Sequence, residues 1–168
     1  MITVTRPTAE IRIITDMQAL AESIRLGNRI LELDQANAGT ESEASEIRAE
    51  RERTAGELKA LMERIEGKTL VVTLRGLNAS RWAQITLKHS KTVQNRIVKD
   101  LPAIASEAAP LMLEAARWAN GERAEMTPDE LTALIESMTD SQIGDLMRAV
   151  QELNTPVTEI PKELTRLI

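Results

Sequence analysis

Few stretches of this chain place reactive residue types at a useful spacing, and Gly67-Lys68-Thr69 is the first to weigh. Glycine, lysine and a hydroxyl in that order close a phosphate-binding loop, in which backbone N–H groups curl around phosphate. That loop needs another glycine five residues before Gly67, where this chain has Met62. It also needs a strand followed by a helix, and the order here reads as helix then strand, so Gly67 is read as a helix stop. His89 is the single histidine and sits in a basic, polar stretch, where a solvated surface residue is expected rather than a general base. No serine and acid stand at a spacing that suggests a triad with it. Glu41, Glu43, Glu46, Glu50 and Glu52 alternate with Arg48, Arg51 and Arg53, the pattern of a solvated helix face rather than a metal site. Asn78-Ala79-Ser80 matches a glycosylation triplet, which carries no meaning without a secretory signal, and none is read at Met1. The stretch Arg81–Lys99 holds five Lys or Arg and could meet a phosphate backbone. The net charge of −5 and the absence of Phe and Tyr speak against nucleic acid. The expectation is a protein that is not an enzyme, with no cofactor, no metal and no small-molecule substrate.

The elements that carry these residues are mostly helical. Ile2, Val4 and Ile11–Thr15 read as extended, with Pro7 between them. Thr15 and Gln18 have capping-box spacing, so a helix is expected to about Asn37 with Met17, Leu20, Ile24 and Leu31 on one face. Asn37 and Gly39 supply a left-handed stop. Thr40 and Glu43 open a second helix to about Glu66, with Ile47, Thr54, Leu58, Leu61 and Ile65 as a narrow stripe. Thr69–Leu74 reads as a strand whose partner is Ile11–Thr15. Asn78 caps a helix bearing Trp82, Ile85 and Leu87, and an Ala-rich helix is expected from Pro102 to about Ala119. Thr127-Pro128-Asp129-Glu130 and Thr139 with Gln142 begin two more, the second carrying Ile143, Leu146, Met147, Val150 and Leu153.

The fold class expected is therefore mainly α. It comprises a long antiparallel helical hairpin, a small β element of residues 11–15 paired with 69–75, and a C-terminal helical bundle. The expected organisation is a strand-plus-hairpin region at 1–77, a helical region at 78–154 and a loosely held tail at 155–168. With two Trp as the only aromatics, the core must be built from Leu, Ile, Val, Met and Ala. Trp82 and Trp118 are read first as core residues, with an interface anchor as the alternative. No apolar run is long enough to span a bilayer and no charged-then-apolar signal segment is read at Met1, so no membrane association is expected and the cytoplasm is the default location.

The same order of elements resembles the tail assembly chaperones of long-tailed, siphophage-type bacteriophages, especially those infecting actinobacteria. Three stretches carry the resemblance. Val72-Thr73-Leu74-Arg75-Gly76-Leu77 followed by Trp82 is similar to the family's strand, turn and Trp-bearing helix. Asp100-Leu101-Pro102-Ala103-Ile104-Ala105 is similar to its Phe-Pro-Ala-Leu-type segment. Met126 through Glu130, then Leu146, Leu153 and Asn154, then Pro161-Lys162, resembles the ending of the family's short form. The chain departs from the family at Leu74 and Leu101, where aromatics are usual, and at Ile143, where a Trp is usual. Its segment Leu87–Lys99 is also less acidic and less Pro-rich than the family's linker.

The resemblance implies a chaperone of the host cell cytoplasm, absent from the mature virion. It would hold the tape measure protein soluble and recruit tail tube protein to polymerise around it, often beside a frameshifted, extended form. Adaptable apolar grooves with a charged exterior suit such a client, and Met112, Met126, Met138 and Met147 are flexible gap-fillers. The candidate partner-contact residues are Trp82, Met138, Ile143, Leu146, Met147 and Val150. The alternative functions are a structural phage tail or connector protein, and an unrelated coiled-coil interaction protein.

Overall fold

The computed structural model describes residues 1–168. The chain is mainly helical, with small antiparallel sheets. The elements run β1 (Thr8–Ile14), α1 (Met17–Gln35), α2 (Glu41–Gly67), β2 (Thr69–Arg75), α3 (Ala79–Lys88), β3 (Ser90–Val93) and β4 (Arg96–Lys99). They continue with α4 (Leu101–Met112), β5 (Leu113–Trp118), α5 (Pro128–Glu136), α6 (Asp140–Asn154) and a single turn, α7 (Lys162–Thr165). No helix is long and apolar enough to cross a membrane.

β1, β2 and β5 form one sheet in that order. Thr15 N–H donates to the Lys68 carbonyl at 3.0 Å and Gly76 N–H to the Pro7 carbonyl at 3.1 Å, so β1 and β2 run antiparallel. β2 is the central strand, and its Leu70, Val71, Val72 and Leu74 are all buried, which is why it reads as an unbroken apolar run. The third strand corrects the expected Ala-rich helix to Ala119. That helix stops at Met112, two residues after Pro110, and Leu113–Trp118 turns to strand. Local propensity favours helix for Leu-Glu-Ala-Ala-Arg-Trp, but hydrogen bonding along the sheet wins. Gly121, at φ +96°, then reverses the chain, its N–H donating to the Trp118 carbonyl at 3.0 Å.

The chain divides into two compact units, one of Arg12–Val71 with Arg117–Ala124 and one of Met1–Ile11, Val72–Ala116 and Glu125–Ile168. The sequence-derived break after Leu77 falls inside the second of these.

In the Arg12–Val71 unit, α1 packs along α2. Arg64 meets Asp16 at 3.0 Å, Arg29 meets Glu50 at 2.8 Å and Arg51 meets Asp34 at 2.5 Å, so the two helices run in opposite directions. Of the α2 acids Glu50 pairs with an arginine of α1, and Arg51 and Arg64 of α2 reach Asp34 and Asp16 in return. The N-cap of α1 is Asp16, whose carboxylate accepts Ala19 N–H at 3.0 Å, and not Thr15. Thr15 instead turns its hydroxyl to the Lys68 carbonyl at 2.5 Å. Nor does α1 end in a left-handed residue: Ala36 is extended and its N–H donates to the Leu33 carbonyl at 3.3 Å, and Gly39 N–H donates to Glu43. The buried face of α1 is Ala19, Leu26 and Leu33, whereas Met17, Ile24 and Leu31 of the expected face remain 40%, 57% and 60% exposed. Of the α2 stripe, Thr54 and Ile65 are buried and Ile47, Leu58 and Leu61 are half-buried.

The other unit is centred on α4, which packs against α3, α5 and α6. Ile104, Ala105, Ala108, Ala109 and Met112 are its buried face. Small alanines let Leu131 and Ile135 of α5, and Leu146, Val150 and Leu153 of α6, close against the helix without aromatic filler. Within the basic stretch that follows α3, Ser90–Lys99 is a two-stranded hairpin with Lys91 opposite Val98 and Val93 opposite Arg96. Gln94 and Asn95 at its tip have φ of 50° and 60°, as a tight primed turn requires.

Candidate functional site

In the unit holding Val72–Ala116, a largely apolar groove of about 480 Å³ opens between α3, the start of α4 and α6. Local signals aim each wall. Asn78 caps α3 by accepting Arg81 N–H at 2.7 Å, which places Trp82 in the first turn and buried Ile85 one turn later. Asp100 caps α4 by accepting Ala103 N–H at 3.1 Å, bringing Leu101, 44% exposed, and buried Ile104 to the floor. Thr139 and Gln142 cap each other at the start of α6, so Leu146, Val150 and Leu153 point inward. Gly144 and Met147 face the opening beside them. Lys99 and Arg148 put positive charge on the rim.

Of the six residues singled out from the sequence, Trp82, Met147 and Val150 line this groove, and Met138 and Ile143 are half-buried outside it. Leu146 and Val150 are each only 1% exposed. Leu146 is therefore a core residue beneath the groove, and Val150 contributes floor rather than free surface. Helical spacing put all four α6 positions on one stripe, but the stripe is wider than the groove, and its centre belongs to the core. Trp82 and Trp118 are both half-buried, which corrects their reading as core residues. Sequence reasoning missed Leu101, Ile104 and Gly144. A glycine at mid-helix, where it costs stability, was the signal for the last of these.

His89 also departs from expectation. It caps the end of α3 half-buried, and its Nε2 is hydrogen-bonded to Glu107 of α4, with Lys88 Nζ 3.1 Å from the same carboxylate. The His89 hydrogen bond, and then Lys88, hold the Glu107 carboxyl below its usual range. The neighbouring hydroxyl of Ser90 donates to the Thr86 carbonyl at 2.5 Å, and Asp100 is occupied as a helix cap. The cluster ties α3 to α4 and contains no nucleophile poised beside a base. Gly67, Lys68 and Thr69 form the end of α2, its cap and the first residue of β2, and the Thr69 hydroxyl donates to the Ile65 carbonyl at 2.7 Å. No three His, Asp or Glu side chains stand together in a way that could hold a metal ion. The arrangement is suited to gripping an apolar segment with an acidic flank. No protein-family model, curated protein or solved structure matches the chain.

Proposed function

We propose that the protein is a non-enzymatic tail assembly chaperone of a long-tailed bacteriophage. It keeps the tape measure protein soluble in the host cytoplasm, promotes tail tube polymerisation around it and leaves before the virion is complete. The single observation that supports a holding role is the groove walled by Trp82, Leu101 and Met147. It is apolar inside, basic at the rim and long enough along α6, from Gly144 to Gln151, to take two turns of an amphipathic helix. Tape measure proteins are long helices whose apolar stripes aggregate when uncovered. The identity of the client rests on the sequence resemblance alone. In this reading α1 with α2 is the helical hairpin, and α4, α5 and α6 are the C-terminal bundle.

Co-expression with the tape measure protein of the same phage tests the assignment. Wild-type protein keeps the client in the soluble fraction as a complex, and Met147→Asp, which charges a groove wall, loses it while remaining folded. Absence of any complex with wild-type protein overturns the reading. Copurification with mature particles would make it a structural tail or connector component. One observation favours the coiled-coil alternative: Met17, Ile24 and Leu31 recur every seven residues on the exposed side of α1.

A further inference from the structure

We infer that the outer edge of β4 docks an extended, acidic segment of another protein, which adds to the β3–β4 hairpin as a third strand. The two strands form a sheet of their own, so neither outer edge has a strand beside it. Asp100 N–H donates to the His89 carbonyl at 2.9 Å, which makes these two a bonded pair. Bonded and unbonded pairs alternate along an antiparallel ladder, so Lys91 with Val98 and Val93 with Arg96 are bonded as well. The backbone N–H and C=O groups of Ile97 and Lys99 therefore face outward along β4, where no other backbone group meets them. β3 begins tied to α3, the Ser90 hydroxyl donating to the Thr86 carbonyl at 2.5 Å, and β4 has no such tie.

The side chains of the edge define its occupant. Arg96 and Val98 share one face of β4, Ile97 and Lys99 share the other, and all four are exposed, Ile97 by 74%. A two-stranded hairpin on its own is marginal in water, and a third strand supplies the pairing it lacks. The stretch 88–99 holds Lys88, Lys91, Arg96 and Lys99 and no acid. Lys88 is paired with Glu107, whereas Lys91, Arg96 and Lys99 have no ion-pair partner. Cations along an edge keep a second copy of the same hairpin from pairing there, because like charges would stand opposite each other. An acidic strand turns that repulsion into attraction. Opposite Lys99-Val98-Ile97-Arg96, the antiparallel strand that fits is acid, aliphatic, aliphatic, acid: each acid meets a cation, and each aliphatic residue meets a β-branched one.

A nucleic acid fits this surface less well. The chain carries −5 overall and has no Phe or Tyr on which bases could stack. Val93, Ile97 and Val98 alternate with the cations and are exposed, and a phosphate backbone has no use for them. A peptide strand uses all three features of the edge: its backbone groups, its cations and its aliphatic side chains.

The test uses the full-length, isotope-labelled chain and no phage client, so its failure is separate from failure of the chaperone reading. The probe is a cyclic β-hairpin peptide whose free edge reads Glu-Val-Val-Glu, with cyclisation removing most of the cost of ordering it. On titration, the amide resonances of Ile97 and Lys99 should move, those of Ser90 and Thr92 should not, and hydrogen exchange at Ile97 should slow by about tenfold or more. Binding should weaken as salt is raised, and methylation of the peptide's valine nitrogens should abolish it. Ile97→Pro removes an outward N–H without touching a bond of the hairpin itself, and should lose the probe. Arg96→Glu should reject Glu-Val-Val-Glu and accept Glu-Val-Val-Lys, whose last residue stands opposite position 96 in an antiparallel pair. Cross-strand contacts between Lys91 and Val98 confirm that both variants keep the hairpin. No binding at millimolar probe, equal binding of a Lys-Val-Val-Lys or N-methylated peptide, or tighter binding of a single-stranded oligonucleotide or of phosphatidylglycerol vesicles overturns the inference.

Discussion

Alanine in place of Gly76 puts a methyl group where the fold has no room for one. Gly76 is buried directly after β2, and a Cβ built on it lies 2.5 Å from the Leu153 carbonyl oxygen and 3.4 Å from its carbon. Real Cβ contacts essentially never fall below 3.0 Å, and the neighbour is backbone, which cannot rotate aside. The last turn of α6 is also fastened to the glycine's own surroundings. Asn154 accepts Leu77 N–H at 2.7 Å and donates to the Val150 carbonyl at 2.8 Å. Overpacking of this kind costs about 1–3 kcal/mol. The smaller conformational freedom of alanine in the unfolded chain offsets roughly 0.4–1 kcal/mol of that.

The net loss spans about 0–2.6 kcal/mol and centres on about 1.3 kcal/mol, a fall in Tm of roughly 3–5 °C for a chain of this length. Gly144→Ala is the matched control: a mid-helix glycine with open space around its Cβ, expected to gain about 0.5–1 kcal/mol. Urea titrations followed by far-UV circular dichroism read both, as opposite shifts of the midpoint at unchanged slope. Gly76→Ala protein as stable as wild type, or both variants moving the same way, would refute the packing of β2's end against α6.

Three further outcomes follow from single contacts. Thr127→Ala removes a capping box in which Thr127 and Glu130 satisfy each other's backbone N–H, and should cost ~1 kcal/mol and speed hydrogen exchange at the first amides of α5. Unchanged exchange there would contradict the cap. Asp16 has its pKa lowered by the Ala19 N–H first, and then by Arg64 and Lys68. A lowered folded-state pKa gives stability that is complete above the ordinary carboxylate range and is lost as pH falls through the folded value. Asp16→Asn keeps the acceptor for Ala19 but not the charge. Its deficit relative to wild type should therefore be present at neutral pH and shrink below about pH 4, and a constant deficit would count against the ion pairs. Leu146→Asp should abolish the cooperative melt by burying a charge, whereas Met147→Asp, one position along, should melt near wild type; equal melts would move the groove.

Much of the local structure was legible in the sequence because it is set by neighbours along the chain. Thr40, Asn78, Thr127 and Thr139 each cap the helix that their spacing announced, since a cap needs only a side-chain oxygen and an amide three residues on. The strand at Thr69–Arg75 was visible as a β-branched run ended by Gly76, and its pairing with the chain before α1 follows once two helices return it there.

What the sequence could not decide were choices between faces and partners. On α1, two sets of residues recur every seven positions, and the smaller set, Ala19, Leu26 and Leu33, won the interior. A strand at Leu113–Trp118 replaced a helix because β2 offered an edge to pair with, which no local preference records. His89 reads as solvated until Glu107, eighteen residues away, is brought beside it. The groove itself exists only where α3, α4 and α6 converge, because a stripe of apolar residues specifies a helix face but not how much of that face its neighbours will cover.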